Sequence, residues 1–254
     1  MLRTTLMAAA LMLAAAQADA AQLKLFVGGA MSEPFKEVGA DFAKRTGDTL
    51  DFVVDTTGAL QKQLRSGEKA DIILVSAPGM DALEKEHLIV PGSRVVLARA
   101  AIGVSVRAGA SSPDLSSPEQ FKKAMLAARS IALVDPKAGG TSGIYLDGLF
   151  RRMGIADEVK KKTVFGNRGS EIADAVATAK AELGLTFISE MMPNKGVKIA
   201  GLLPPAIQSA TDYVVAIPAG SANPGAALAF VQAMMSPAAR TVIAKAGLTP
   251  LEKP

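Results

Sequence analysis

Short turns without a basic residue repeatedly separate a strand-like apolar run from a helix-like segment in this chain. Three of these turns are Gly28–Ser32, Asp55–Ala59 and Gly139–Gly143. They follow the apolar runs Leu23–Val27, Leu50–Val54 and Ile131–Val134. Parallel strands need a crossover segment, usually a helix, so this alternation predicts an α/β fold with doubly wound sheets.

The chemistry of the three turns predicts an anion site. Glycine lets a ligand approach the backbone closely. The first turn of a helix offers unpaired N–H groups and the positive end of the helix dipole. Three converging turns of this kind would hold a small anion by hydrogen bonds rather than by ion pairs. The pattern therefore predicts a binding protein and not an enzyme.

The N-terminal residues predict export. Arg3 supplies a positive n-region, Leu6–Ala16 an apolar h-region, and residues 18–20 an A-x-A cleavage site. We expect residues 1–20 to be a cleavable signal peptide. The chain has no cysteine, so no disulfide can stabilise it, and this favours the bacterial periplasm.

Composition excludes several other classes. The net charge is only +4, aromatic residues make up 4% and tryptophan is absent, so stacking platforms for nucleic acid are not expected. One histidine and no cysteine cannot make the usual zinc ligand sets. We expect no metal, no cofactor, no nucleic acid partner and no membrane span in the mature chain.

The order of the elements predicts two lobes. Residues 21–98 and 217–254 would form the first lobe, and residues 99–216 the second. The apolar segments Leu97–Gly103 and Asp212–Ala216 would cross between them as a two-segment hinge that closes on a ligand. Within the second lobe the pattern predicts a helix from Ser170 as its N-cap and a strand over Leu183–Ser189.

Ordered motifs give the chain a family resemblance from about Leu23 to its end. Residues 25–31 (LFVGGAM), 58–60 (GAL) and 70–73 (ADII) resemble motifs of molybdate-type periplasmic solute-binding proteins. Residues 140–145 (GTSGIY), 184–187 (GLTF) and 235–240 (MSPAAR) resemble that family's P-A-G-x-Y turn, G-I-V-Y strand and final helix. The resemblance implies a type II periplasmic binding protein fold, a monomer, an anionic ligand and delivery to an ABC permease.

The family's oxyanion site, with Arg168 as a candidate replacement for lost donors, implies ten ligand-binding positions, which are Gly29, Ala30, Met31, Thr57, Gly58, Ser142, Gly143, Arg168, Gly169 and Phe187. Ala30 and Phe187 stand where the family has hydroxyl donors, whereas Thr57 keeps one and Ser142 gains one. Each missing donor to a buried anion forfeits about 1.5–3 kcal/mol. The changes suggest an organic di- or tricarboxylate in place of molybdate or tungstate.

Arg168 would pair with such a carboxylate bidentately, although an exposed loop arginine is the alternative. Ser189 and Glu190 follow the Gly184–Phe187 run and could reach the cleft, although surface exposure is the default expectation.

Two other functions stay open. A ligand-sensing module that reports to a receptor would have the same fold and cleft. A periplasmic hydrolase is less well supported, because His87 is the only histidine and no G-x-S-x-G motif is present.

Overall fold

A computed structural model describes residues 20–251, in which strands and helices alternate along most of the chain. The strands in this range are β1 (Gln22–Gly28), β2 (Thr49–Asp55), β3 (Ile72–Ser76), β4 (Val95–Arg107), β5 (Ile131–Val134), β6 (Thr163–Gly166), β7 (Leu183–Phe187), β8 (Val197–Leu202), β9 (Ala210–Ala216) and β10 (Thr249–Pro250). The helices are α1 (Ser32–Thr46), α2 (Thr57–Arg65), α3 (Ala77–Lys85), α4 (Pro118–Ala127), α5 (Thr141–Arg152), α6 (Ala156–Lys160), α7 (Gly169–Ala177), α8 (Ile188–Met191), α9 (Pro224–Met234) and α10 (Pro237–Lys245). The predicted signal peptide lies outside the described residues except for Ala20.

The first lobe is built on strands in the order β2-β1-β3-β9-β4. β1 pairs in parallel with β2 and β3, while β9 is antiparallel to both β3 and β4. All five residues of β3 are buried, as expected for a central strand covered by helices on both faces.

The second lobe continues from the same β4. Its strands follow the order β4-β7-β5-β6, with β8 also paired to β4. β5 is parallel to β6 and β7, and β7 is antiparallel to β4. Both lobes therefore carry parallel units joined through helices, as the turn pattern predicts.

β4 is shared between the two lobes. Residues 95–101 pair with β9 of the first sheet, and residues 102–106 pair with β7 of the second. The sheets change over between Ala101 and Ile102, within the predicted crossing segment Leu97–Gly103.

The return connection differs from the prediction. β9 pairs with β3 and β4, so it belongs to the first sheet although we assigned it to the second lobe. Its apolar run is a central strand of that sheet and not a linker. The chain therefore returns through residues 203–209 rather than through Asp212–Ala216. In this connection Gln208 Nε2 donates to the carbonyl of Ile102 at 2.9 Å, which ties the two crossings together.

Aromatic clusters fill the core of each lobe. In the first lobe Phe35 and Phe42 of α1 pack on Phe230 of α9, with ring centroids 5.7 and 5.2 Å apart. In the second, Phe121 and Phe150 stack at 6.3 Å. Such pairs contribute about 0.5–1.5 kcal/mol beyond their burial. The pairs of the first lobe hold α1, whose first turn faces the other lobe, against the C-terminal helix α9.

Two boundaries in the second lobe differ from the prediction. The N-cap of α7 is Arg168, so Ser170 lies inside the first turn instead of capping it. β7 ends at Phe187 and the chain turns at once into α8, so residues 188 and 189 are not part of the strand.

No single helix among residues 20–251 has the length and apolar composition to cross a membrane. The adjacent α9 and α10 pass that test together, but they are bent by 66° at their break.

Candidate functional site

A cleft of about 530 Å³ lies between the lobes. The first lobe contributes the ends of β1 and β2 and the starts of α1 and α2. Its lining residues there are Gly29, Ser32, Glu33, Lys36, Asp55, Thr56 and Thr57. The second lobe contributes the starts of α5 and α7 and the end of β7, through Gly140, Thr141, Ser142, Arg168, Gly169, Ser170, Phe187, Ser189 and Glu190. Tyr213 of β9 also lines it.

The four longer helices that begin at this cleft are α1, α2, α5 and α7. At α1, α5 and α7 the N-cap residue accepts no hydrogen bond through its side chain. At α2, by contrast, Ala59 N donates to the Thr56 hydroxyl at 3.2 Å. The first turns of these helices point N–H groups and the positive ends of their dipoles toward the cleft, an arrangement that favours an anion.

Six of the ten predicted ligand-binding residues line the cleft. They are Gly29, Thr57, Ser142, Arg168, Gly169 and Phe187. Thr57 and Ser142 are both buried there. The Thr57 hydroxyl accepts from Ser76 N at 3.1 Å, so its own proton is free to be donated.

The other four predicted residues do not line it. Ala30 and Met31 are buried in the hydrophobic core of the first lobe, because their apolar side chains face away from the cleft. Gly143 packs against the carbonyl of Val134, where no side chain would fit. Gly58 lies beside the cleft, in a contact between the lobes.

That contact holds the lobes together next to the cleft. Gly58 N donates to the carbonyl of Gly139 at 3.2 Å, and the Thr56 hydroxyl donates to the carbonyl of Ala138. A Cβ at Gly58 would lie 2.8 Å from Gly139 Cα, so only glycine permits this approach. The two lobes therefore touch beside the cleft in this structure.

Glu190 is a residue for which the sequence leaves both exposure and a cleft position open, and the structure places it in the cleft lining. It is partly buried, and its carboxyl lies between Gly29 of the first lobe and Gly169 of the second, where neither position has room for a Cβ. The turn from β7 into α8 directs it inward, whereas continuation of the strand implied exposure. Its position directly after a buried strand was the available signal, because ligand sites lie at the carboxyl ends of strands.

The surroundings of Glu190 favour its neutral form. Burial raises its pKa from 4.5 to about 7, even though hydrogen bonds from Thr186 and from the backbone at Phe187 and Gly169 act in the opposite direction. Burial, followed by the nearby Glu190 charge, also raises the pKa of the Tyr213 hydroxyl. Glu190 can therefore gain and lose a proton near neutral pH.

A chain of hydroxyls connects Glu190 with the wall of the cleft. Thr186 Oγ1 donates to Glu190 Oε2 at 2.7 Å, and the Ser142 and Thr186 hydroxyls are 3.0 Å apart. Either hydroxyl of that pair can donate, so the direction of the chain can reverse when Glu190 changes its protonation state. Ser189 Oγ is also buried in the lining and has no hydrogen-bond partner among the described residues.

Two cations face the cleft from opposite lobes. Lys36 Nζ lies 2.9 Å from Glu33 Oε1 on α1, and Arg168 Nε lies 3.3 Å from Glu171 Oε1 on α7. The sequence left Arg168 as either an exposed loop arginine or a cleft arginine. Its side chain is half exposed, and it also lines the cleft.

Among residues 20–251, no three His, Cys, Asp or Glu side chains are grouped so that they could hold a metal ion. The cleft therefore offers hydroxyls, N–H groups, two cations and a titratable carboxyl as its chemistry.

Comparison with known proteins agrees with this geometry. A family model described as bacterial extracellular solute-binding protein matches residues 23–249. The chain is 32% identical over 257 residues to an aconitate isomerase from a Pseudomonas species, covering 97% of this chain and 96% of that protein. It is 27% identical over 239 residues to the molybdate-binding protein ModA of Azotobacter vinelandii, covering 91% of each.

A solved structure supports the fold. The periplasmic molybdate-binding protein of Azotobacter vinelandii superimposes with a TM-score of 0.74 at 20% identity, covering 89% of this chain and 98% of that one. The predicted resemblance and the predicted type II periplasmic binding fold are both confirmed.

Proposed function

This chain belongs to the family of bacterial extracellular solute-binding proteins, and from that premise we propose that its cleft binds a small polycarboxylate of the aconitate class and isomerises it. The relative at 32% identity is named for isomerisation of aconitate. Relatives of this kind act outside the cytoplasm, consistent with the predicted export to the periplasm.

The observation that carries the proposal is the Glu190 carboxyl inside an anion cleft. When ionised it repels a compact dianion such as molybdate at close range. A carboxyl with a pKa of about 7, however, is suited to accept and return a proton. An isomerase needs such a group, whereas a protein that only captures an anion does not.

The chemistry requires one proton and no co-reactant. Aconitate carries a carboxylate on each carbon of a three-carbon unit with one C=C bond. Glu190 would remove a proton from the CH2 carbon, which breaks one C–H bond and leaves an allylic carbanion. Returning the proton to the other terminal carbon forms a new C–H bond and moves the double bond. The new double bond can take either geometry, and nothing is oxidised or reduced.

The remaining residues have supporting roles in this scheme. The first turns of α5 and α7, whose N-cap side chains make no hydrogen bond, would stabilise the charge that develops on the substrate carboxylates. Thr186 would hold the Glu190 carboxyl, and Ser142 would hold Thr186. When Glu190 is protonated, the direction of donation along these hydroxyls can reverse. Phe187, which lines the cleft and carries no hydroxyl, would contact the carbon skeleton of the ligand.

Proton NMR in D2O tests the proposal, since cis- and trans-aconitate have distinct vinyl signals. We expect the mature protein to interconvert the isomers and to introduce deuterium at the methylene carbon. Glu190→Gln should lower turnover at least 100-fold while binding persists in isothermal titration. Asp174→Asn is the matched control. Asp174 also lines the cleft, but its carboxylate already accepts a hydrogen bond from Asn194 Nδ2 at 2.8 Å. This variant should retain turnover.

Capture of an anion for an ABC permease is the second candidate. The four helix starts at the cleft and the hydroxyls of Thr57 and Ser142 favour it. A thermal-shift series with molybdate, tungstate, sulfate and citrate separates the two functions. Tight binding without turnover would support capture, and stabilisation by molybdate alone would contradict the polycarboxylate proposal.

A further inference from the structure

The two cations of the cleft lining come from different lobes. Lys36 lies in the second turn of α1, and Arg168 is the N-cap of α7. Among residues 20–251, no other lysine or arginine lines the cleft. A ligand that contacts both must therefore span the cleft.

Each cation is held only weakly in the structure. Its partner is a carboxylate three residues away, Glu33 for Lys36 and Glu171 for Arg168. The exposed fraction of these four side chains is between 35% and 51%. Water therefore screens both ion pairs and keeps them weak. Arg168 uses only Nε, and its terminal amino groups make no hydrogen bond within the described structure. A ligand carboxylate can replace these partners without breaking the fold.

The cleft also contains acidic groups, namely Glu33, Asp55, Asp174 and Glu190. Asp55 accepts from Thr56 N at 2.8 Å and Asp174 from Asn194, so both have internal donors. Four helix N-termini, each equivalent to roughly half a positive charge, add to the two cations. An anion that enters along these groups is therefore attracted at both ends.

We propose that Lys36 and Arg168 form a two-lobe clamp that binds two separate carboxylates of one ligand and so selects polycarboxylates over compact oxyanions. The inference rests on the proposed function, whose ligand carries carboxylates at both ends. Two carboxylates at opposite ends of one ligand can pair with both side chains at once, whereas a tetrahedral oxyanion concentrates its charge at one point. The clamp would make closure of the lobes depend on a ligand with two charged ends.

Isothermal titration with trans-aconitate, succinate and molybdate tests the clamp. Lys36→Met and Arg168→Met should each weaken trans-aconitate binding about 10- to 100-fold, the loss expected for one charged hydrogen bond. Affinity for molybdate, where measurable, should change less than threefold. Lys62→Met, an exposed position on α2 outside the cleft, is the matched control and should bind like the wild type.

The outcomes separate the two proposals. Wild-type protein that binds neither carboxylate overturns both the clamp and the proposed function. Carboxylate binding that is unchanged in both variants overturns the clamp alone. Because both side chains are half exposed, thermal melts of the variants should match the wild type, and this confirms that a loss of affinity is not a loss of fold.

Discussion

The carboxyl of Glu190 makes the stability of the protein depend on pH. Its pKa rises from 4.5 to about 7 on folding, so between these values the folded state binds more protons than the unfolded state. The free energy of unfolding must then fall as the pH rises from about 4.5 to about 7. Above that window the ionised, partly buried carboxylate costs about 2 kcal/mol, after allowance for its remaining exposure to the cleft.

Glu190→Gln should remove this dependence. Urea unfolding at pH 5 and pH 8 gives the free energy of unfolding at each pH. Between pH 5 and pH 8 the wild type should lose about 2 kcal/mol more of this free energy than the variant does. Ser189→Ala is the matched control, since it changes an uncharged, unpartnered hydroxyl in the same lining. It should keep the wild-type pH profile. Parallel profiles for the wild type and Glu190→Gln would contradict the raised pKa.

Local pattern explains which site residues were predictable. Thr57, Ser142 and Gly169 start helices directly after strand-like runs, so the positions of these turns followed from periodicity and glycine. Gly47 ends α1 with a φ of +83°, a left-handed conformation that glycine adopts without strain. Whether Glu190 reaches the cleft stayed open from the sequence, because the direction of its side chain depends on where β7 ends, and that strand ends two residues earlier than predicted. Burial of that kind depends on tertiary contacts with Gly29 and Gly169.

At the scale of elements, the turn before α2 and the turn before α5 control closure. Gly58 and Gly139 approach so closely that no side chain fits between them. We infer that the lobes open by rotating about the two connections at residues 101–102 and 203–209, which separates this pair. The contact is therefore made only in the closed form, and closure and ligand binding should be coupled.

Gly58→Ala should keep the fold but disfavour closure. A Cβ 2.8 Å from Gly139 Cα prevents the Gly58–Gly139 hydrogen bond from forming. We expect affinity for trans-aconitate to fall about tenfold, and small-angle scattering to give a larger radius of gyration than for the liganded wild type. Gly225→Ala on α9, where nothing lies within 4 Å of the added Cβ, is the control. Unchanged affinity and dimensions in Gly58→Ala would contradict a role in closure.

At the scale of the whole molecule, sheet order was the least predictable property. The runs predicted for β1, β2, β5 and β7 agree with the observed strands to within two residues at each end, because each is a separate apolar run. The insertion of β9 between β3 and β4 has no local signal, since its partners lie more than a hundred residues earlier in the chain. This explains why the two-lobe organisation was predicted while the return crossing was misplaced.

The position of β9 in the sheet means that the first lobe cannot complete its sheet early in folding. β3 and β4 are neighbours along the chain, yet they cannot complete a sheet until residues 210–216 have been synthesised and inserted between them. Contacts of such long sequence separation form slowly. Pulsed hydrogen exchange during refolding should show amides of β3 and β9 becoming protected together, and early protection of β3 alone would contradict the delay.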